Sequence, residues 1–179
     1  MRILKENAVG LVIDIQERLF PLIHEHETMA KNTTILVKGL KSLSIPLIFT
    51  QQYTKGLGLS VLSVREMMDS EPIEKNAFSC CDEPKFYDRL TGINKKFVII
   101  SGIETHVCVL QTTIDLIGLG YIPVVIEDCV SSRRLNDKNI AIARMRKEGA
   151  VISTYESILF ELLRVSGTPE FKEISKLVK

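Results

Sequence analysis

Several things are scarce in this chain of 179 residues, and each scarcity closes off a class of function. Charge of one sign is not in excess: 23 basic and 22 acidic residues leave a formal net charge of +1, mixed along the sequence without a basic stripe or an aromatic-rich basic segment. Nucleic acid draws its binders through clustered lysine and arginine, so no nucleic-acid partner is expected. No run approaches the roughly 20 apolar residues of a membrane-spanning helix, so no membrane partner is expected either. The opening MRILKENAVGLVIDIQ sets Lys5, Glu6 and Asn7 before a short apolar stretch that Asp14 interrupts, which reads as a strand rather than a signal peptide. Cysteine is confined to positions 80, 81, 108 and 129. These match no zinc spacing, and the neighbours Cys80 and Cys81 do not readily form an unstrained bridge, so a reducing, cytoplasmic setting is expected. Low-complexity linkers and repeats of fixed period are missing too, which leaves a single domain over 1–179.

What is present is an apolar framework. With 45% hydrophobic and 25% charged residues, the chain can bury roughly two-thirds of its unfolded surface and needs no disulfide or metal staple. Val- and Ile-rich runs at 8–14, 46–50, 97–101, 122–127 and 150–154 read as strands, all nearly continuously apolar. Helical patterns lie between them at 28–43, 106–119 and 137–148, with a final pair at 155–165 and 169–178. Asn136 and Asp137 suit the start of the third helix and Gly149 its end, and Pro169 suits a first helical turn. Pro46 and Pro123 stand at strand starts, where no ladder hydrogen bond is lost. Buried strands alternating with helices specify a parallel α/β sheet. The stretch from 51 to about 74, with Tyr53, Lys55, Gly56 and Gly58, fits neither element and has the length of a functional or lid-like loop.

Ligands of open parallel sheets bind beyond the carboxyl ends of the strands, so the strand exits are the places to look for chemistry. Two exits are rich in polar groups: Asp14-Ile15-Gln16, and Ser101 through Cys108. With Thr105 as N-cap, Cys108 falls in the first helical turn, where the helix dipole and free N–H groups favour a thiolate and can hold an oxyanion. Gly102 allows the sharp turn between strand and helix. Each residue also has a plainer role open to it: the cysteine as a small buried hydrophobe, the aspartate as a turn group, Lys75 as a solvated surface cation.

The flanks carry more. GIETHVCVLQTTIDL at 102–116 resembles the nucleophile motif of the isochorismatase-like hydrolases, VIDIQ at 12–16 their aspartate strand, and EKNAFSC at 74–80 their lysine segment. VSSRR at 130–134, SILFELL at 157–163 and PEFKEISKLVK at 169–179 resemble the isochorismatase domain-containing subgroup. The resemblance implies a Rossmann-like, three-layer α/β/α sandwich around a six-stranded parallel sheet, the sixth strand lying near 71–74. It implies that Asp14, Lys75 and Cys108 meet at one pocket, that the Ile103–Glu104 peptide is cis, and that the N–H groups of Glu104 and Cys108 form an oxyanion hole.

The expected activity is hydrolysis of an amide-type C–N bond in a small molecule, with Cys108 as nucleophile, Asp14 as base, Lys75 as helper and a thioester intermediate. True isochorismatases usually lack the cysteine, which argues for acyl transfer here. The nicotinamidase branch holds zinc after the second strand, where this chain has Thr50-Gln51-Gln52-Tyr53; its three scattered histidines, His24, His26 and His106, give no zinc spacing. No metal and no cofactor are expected. The expected lining is Gln16, Leu19, Phe20, Gln51, Tyr53, Phe78, Glu104 and His106, with core packing an equal option for Leu19, Phe20 and Phe78. A homo-oligomer, dimer or larger, is implied by the resemblance. The alternative function is a catalytically silent binding or scaffold protein that keeps the fold.

Overall fold

In a computed structural model covering residues 1–179, the apolar runs become six strands of one sheet. They are β1 Ala8–Ile13, β2 Leu47–Gln52, β3 Ile73–Lys75, β4 Phe97–Ile103, β5 Ile122–Ser131 and β6 Val151–Ser153. Their order is β3-β2-β1-β4-β5-β6, and every pairing is parallel. The order runs outward one way from β1 and the other way from β4, so the topological switch point falls between these two strands. All residues of β1 and β4 are buried. Burial of that kind requires cover on both faces, which the helices supply.

The helices are α1 His26–Ser42, the single turns α2 Thr54–Leu57 and α3 Leu62–Arg65, α4 Pro84–Ile93, α5 Leu110–Gly118, α6 Leu135–Glu148, α7 Tyr155–Leu163 and α8 Pro169–Leu177. Strand alternation divides the core between two faces. Val9, Leu11 and Ile13 of β1 with Val98 and Ile100 of β4 pack against Phe86 and Leu90 of α4, Leu116 of α5 and Met145 of α6. Ala8, Phe97 and Ile99 point the other way, toward Leu36 and Leu40 of α1, Leu159 of α7 and Ile174 of α8. The result is the expected α/β/α sandwich.

Several boundaries differ from the sequence reading. Pro46 lies just outside β2, and its carbonyl accepts from the Gly10 N–H at 2.9 Å. β5 runs on to Ser131 because a register shift lets Gly102 of β4 pair with Val130. The sixth strand is Ile73–Lys75, so Lys75 ends it rather than following it. α6 begins at Leu135, without a side-chain cap from Asn136 or Asp137, while Gly149 closes it with positive φ as expected. The predicted helix 106–119 divides into a π-type turn, Thr105–Val109, and α5.

α4 was not anticipated, although its signals are in the chain. The Glu83 side chain accepts from the Lys85 N–H, Pro84 occupies the first turn, and Phe86 and Leu90 sit four apart on the buried face. The irregular stretch after β2 is tied to the end of β1. Gln16 accepts from the Gln52 N–H at 2.7 Å and donates to the carbonyls of Gln52 at 3.0 Å and Gly58 at 2.7 Å.

Gly102 has φ of 123°, and a Cβ there would lie 2.1 Å from the Ile13 carbonyl oxygen. Both the backbone angle and the close approach of β1 demand glycine. Gly102→Ala should therefore cost more than about 2 kcal/mol in urea denaturation. Gly118→Ala, at the end of α5 with nothing within 4 Å of the new methyl, should be neutral or slightly stabilising.

Candidate active site

Three strand exits meet at the switch point. The chain leaves β1 through Asp14 in the left-handed region, φ 51°, with the Asp14 N–H donating to the Thr50 carbonyl at 3.3 Å. This turn aims the carboxylate across the end of β2. The Thr50 hydroxyl donates to Asp14 Oδ1 at 2.7 Å, and Lys75, from the end of β3, places its ammonium 2.6 Å from Oδ2. Their side chains are 0% and 2% exposed, a fully desolvated ion pair. Lys75 Nζ also donates to Gln52 Oε1 at 2.7 Å and to the carbonyls of Phe78 at 3.1 Å and Ala77 at 3.2 Å. An ammonium has three hydrogens, and four acceptors surround this one.

From β4 the chain passes through a cis Ile103–Glu104 peptide into the π-type turn. The Glu104 carbonyl accepts from the N–H groups of Val107 at 3.1 Å and Val109 at 3.2 Å, which tightens the turn around Cys108. Thr105 does not serve as N-cap; Glu104 holds that position without a side-chain cap bond. Cys108 is 6% exposed, with Sγ 4.0 Å from Gln52 Oε1, and it lines the same cavity as Asp14.

The electrostatics correct one expectation. Burial pushes the Cys108 thiol up and the Asp14 carboxylate pushes it further, while Lys75 opposes both only in part. Burial, the largest influence on this thiol, works against the thiolate that the start of the helix would favour. Cys80, fully buried beside Thr50 and Thr112, is pushed up to about 12 by the same burial. Burial pulls Lys75 down, but the Asp14 carboxylate beside it more than compensates and holds it above its ordinary value.

A cavity of about 90 Å³ opens onto the thiol, lined by Asp14, Leu19, Gln52, Leu57, Phe78, Ile103, Glu104, Val107 and Cys108. Leu19, Phe78 and Glu104 of the expected lining are there. The others are elsewhere. Gln16 is spent on the loop after β2, Gln51 donates to the Ser60 hydroxyl at 2.8 Å, and Phe20 packs edge-on against His26 with centroids 4.8 Å apart. Tyr53 is exposed at the surface. His106 hydrogen-bonds Ser132 at 2.9 Å and borders a separate surface depression with Asp137 and Arg144. Gln52, Leu57, Ile103 and Val107 were missed. Gln52 could have been found: strand alternation puts Thr50 and Gln52 on one side of β2 and Gln51 on the other.

Glu104 is held from outside the cavity. Its Oε2 accepts from both the backbone N–H and Nε of Arg133, each at 3.0 Å. No group of three His, Cys, Asp or Glu residues has the arrangement to hold a metal ion. No helix is long and apolar enough to cross a membrane.

Fold and site together define a three-layer hydrolase fold with a cysteine at the switch point. The Isochorismatase domain family matches residues 8–157, and the chain belongs to that family. It is 37% identical to the secreted isochorismatase effector Isc1 of Phytophthora sojae, over 99% of this chain and 87% of that protein. It is 35% identical to isochorismatase domain-containing protein 2A of Mus musculus, over 99% and 85% respectively. Among solved structures it superposes on the protein described as MAR1 ribonuclease from Caenorhabditis elegans, with a TM-score of 0.93, 38% identity and coverage of 99% and 92%. YcaC from Pseudomonas aeruginosa, solved with hexane-2,5-diol and covalent acrylamide, gives a TM-score of 0.92, 25% identity and coverage of 98% and 91%.

Removing one partner from a buried ion pair strands the other charge, so Lys75→Met should lower stability by about 3–5 kcal/mol at neutral pH. Because the folded state raises Lys75, its share of stability is complete below 10.5 and is lost as pH climbs through the higher folded value. Urea midpoints of wild type and Lys75→Met from pH 7 to 11 should converge at the alkaline end.

Proposed function

We propose that the protein is a metal-independent cysteine hydrolase that cleaves an amide-type C–N bond of a small molecule through a thioester on Cys108. The observation that carries this reading is the Asp14 carboxylate, held by Lys75 and Thr50 and set against the only thiol that lines the cavity. At the end of β2, where a metal would need ligands, Thr50 and Gln52 are already engaged with Asp14 and Lys75.

In the first half-reaction the thiol proton passes to Asp14 as Sγ bonds to the carbonyl carbon. A neutral resting thiol makes this general-base transfer necessary. The N–H groups of Glu104 and Cys108 hold the oxyanion, the C–N bond breaks, and the leaving nitrogen takes the proton from Asp14. In the second half, water gives a proton to Asp14 while its oxygen attacks the thioester. The acid leaves, and the sulfur regains the proton. Lys75, its hydrogens taken, acts as a fixed charge that orients Asp14 and steadies the departing thiolate.

The cavity, about 90 Å³, is far below the roughly 300–1,000 Å³ of sites for drug-sized ligands, which favours a small acyl compound over a nucleotide. Four unpaired cysteines suit a reducing, cytoplasmic compartment.

Acrylamide should modify Cys108, read by peptide mass spectrometry, and Asp14→Asn should slow that reaction by about 100-fold or more. Across a panel of small amides, Cys108→Ala should abolish whatever turnover wild type shows. Wild type with neither adduct nor turnover would be the silent binding protein instead.

A further inference from the structure

Resting on the hydrolase reading above, we infer that the acyl part of the substrate is short, aliphatic and uncharged, and that the site excludes carboxylate-bearing compounds, with Glu104 as the side chain that sharpens the exclusion.

The cavity walls are Leu19, Leu57, Phe78, Ile103 and Val107. The charged residues that line it, Asp14 and Glu104, are both acidic, and no lysine, arginine or histidine joins them. The one cation that reaches the reacting groups, Lys75, already faces Asp14, Gln52 and two backbone carbonyls. It has no hydrogen left for a substrate oxygen. Arg133, the next cation, gives Nε and its backbone N–H to Glu104 from outside the cavity, and its side chain is 56% exposed. A carboxylate entering the cavity would lose its water, find no free cation and lie near a second carboxylate, Glu104, which already holds Arg133.

Burying an unpaired anion is costly, and an added like charge makes the discrimination stronger. An uncharged amide of a short aliphatic acid meets none of these penalties. Its chain fits apolar walls, and its carbonyl oxygen needs only N–H donors. The site thereby separates neutral acyl compounds from amino-acid or dicarboxylic acid derivatives of similar size.

The test uses two alkylating reagents of nearly equal size, iodoacetamide and iodoacetate. With each, a bond forms between Cys108 Sγ and the methylene carbon, iodide leaves with its electron pair, and the thiol proton passes through Asp14 to water. The ratio of the two rates at Cys108, followed by peptide mass spectrometry, is divided by the same ratio for glutathione to remove intrinsic reactivity. Wild type should favour iodoacetamide over that reference by about tenfold or more. Glu104→Gln removes the charge and frees the Arg133 guanidinium, and should shrink the preference several-fold. Leu57→Arg places a cation on the wall and should do the same through an independent position.

A wild-type ratio equal to that of glutathione overturns the exclusion and leaves the nucleophile in place. A preference that survives in Glu104→Gln but falls in Leu57→Arg overturns the role of Glu104. Labelling of Cys81 with none at Cys108 by either reagent overturns the hydrolase reading itself.

Discussion

A carboxylate and an ammonium 2.6 Å apart, both almost wholly withdrawn from solvent, organise the carboxyl edge of this sheet. Desolvating two charges is expensive, and the attraction between them compensates only with good geometry and further hydrogen bonds. The surrounding strands meet that demand. Thr50 takes the second oxygen of Asp14, while Gln52 and the carbonyls after β3 surround the ammonium. The three-residue edge strand β3 is anchored by its pairing with β2, by Ile73 against the core and by this lysine. The ion pair thus fixes the segment from Lys75 to Phe78, and with it one wall of the cavity.

The same pair sets the state of the nucleophile. Burial and the Asp14 carboxylate both raise the Cys108 thiol, so its proton leaves only as a reaction draws it away. Lys75 balances the charge of Asp14 without displacing it from the thiol. Thr50, Asp14, Lys75, Gln52 and Cys108 therefore form one connected group, in which Gln52 touches both the ammonium and the sulfur. The apolar walls then determine which substrates reach it.

Much of this could be read from the chain. Five of six strands stand out because a parallel sheet covered on both faces must be apolar throughout. Asp14 and Cys108 could be placed at strand exits for the same reason, since polar residues break those runs where the sheet ends. Lys75 could not be found this way. A lysine at the end of a three-residue strand looks like any surface lysine, and only the resemblance of EKNAFSC to a known segment singled it out. α4 escaped because its apolar residues are few, and the loop after β2 because its order comes from Gln16, which belongs to another strand.

By itself the sequence determined the fold class, the strand exits and the residue types available for chemistry, because these depend on local pattern and on burial. Tertiary structure alone decided that the Gln52 amide reaches both the ammonium and the sulfur, that Gln16, Tyr53 and His106 stand away from the cavity, and that the cysteine is buried beside a carboxylate. Those outcomes depend on distances between strands that the chain reaches by separate crossovers, and on how completely each group is withdrawn from water. Neither quantity is written in the order of residues along one strand.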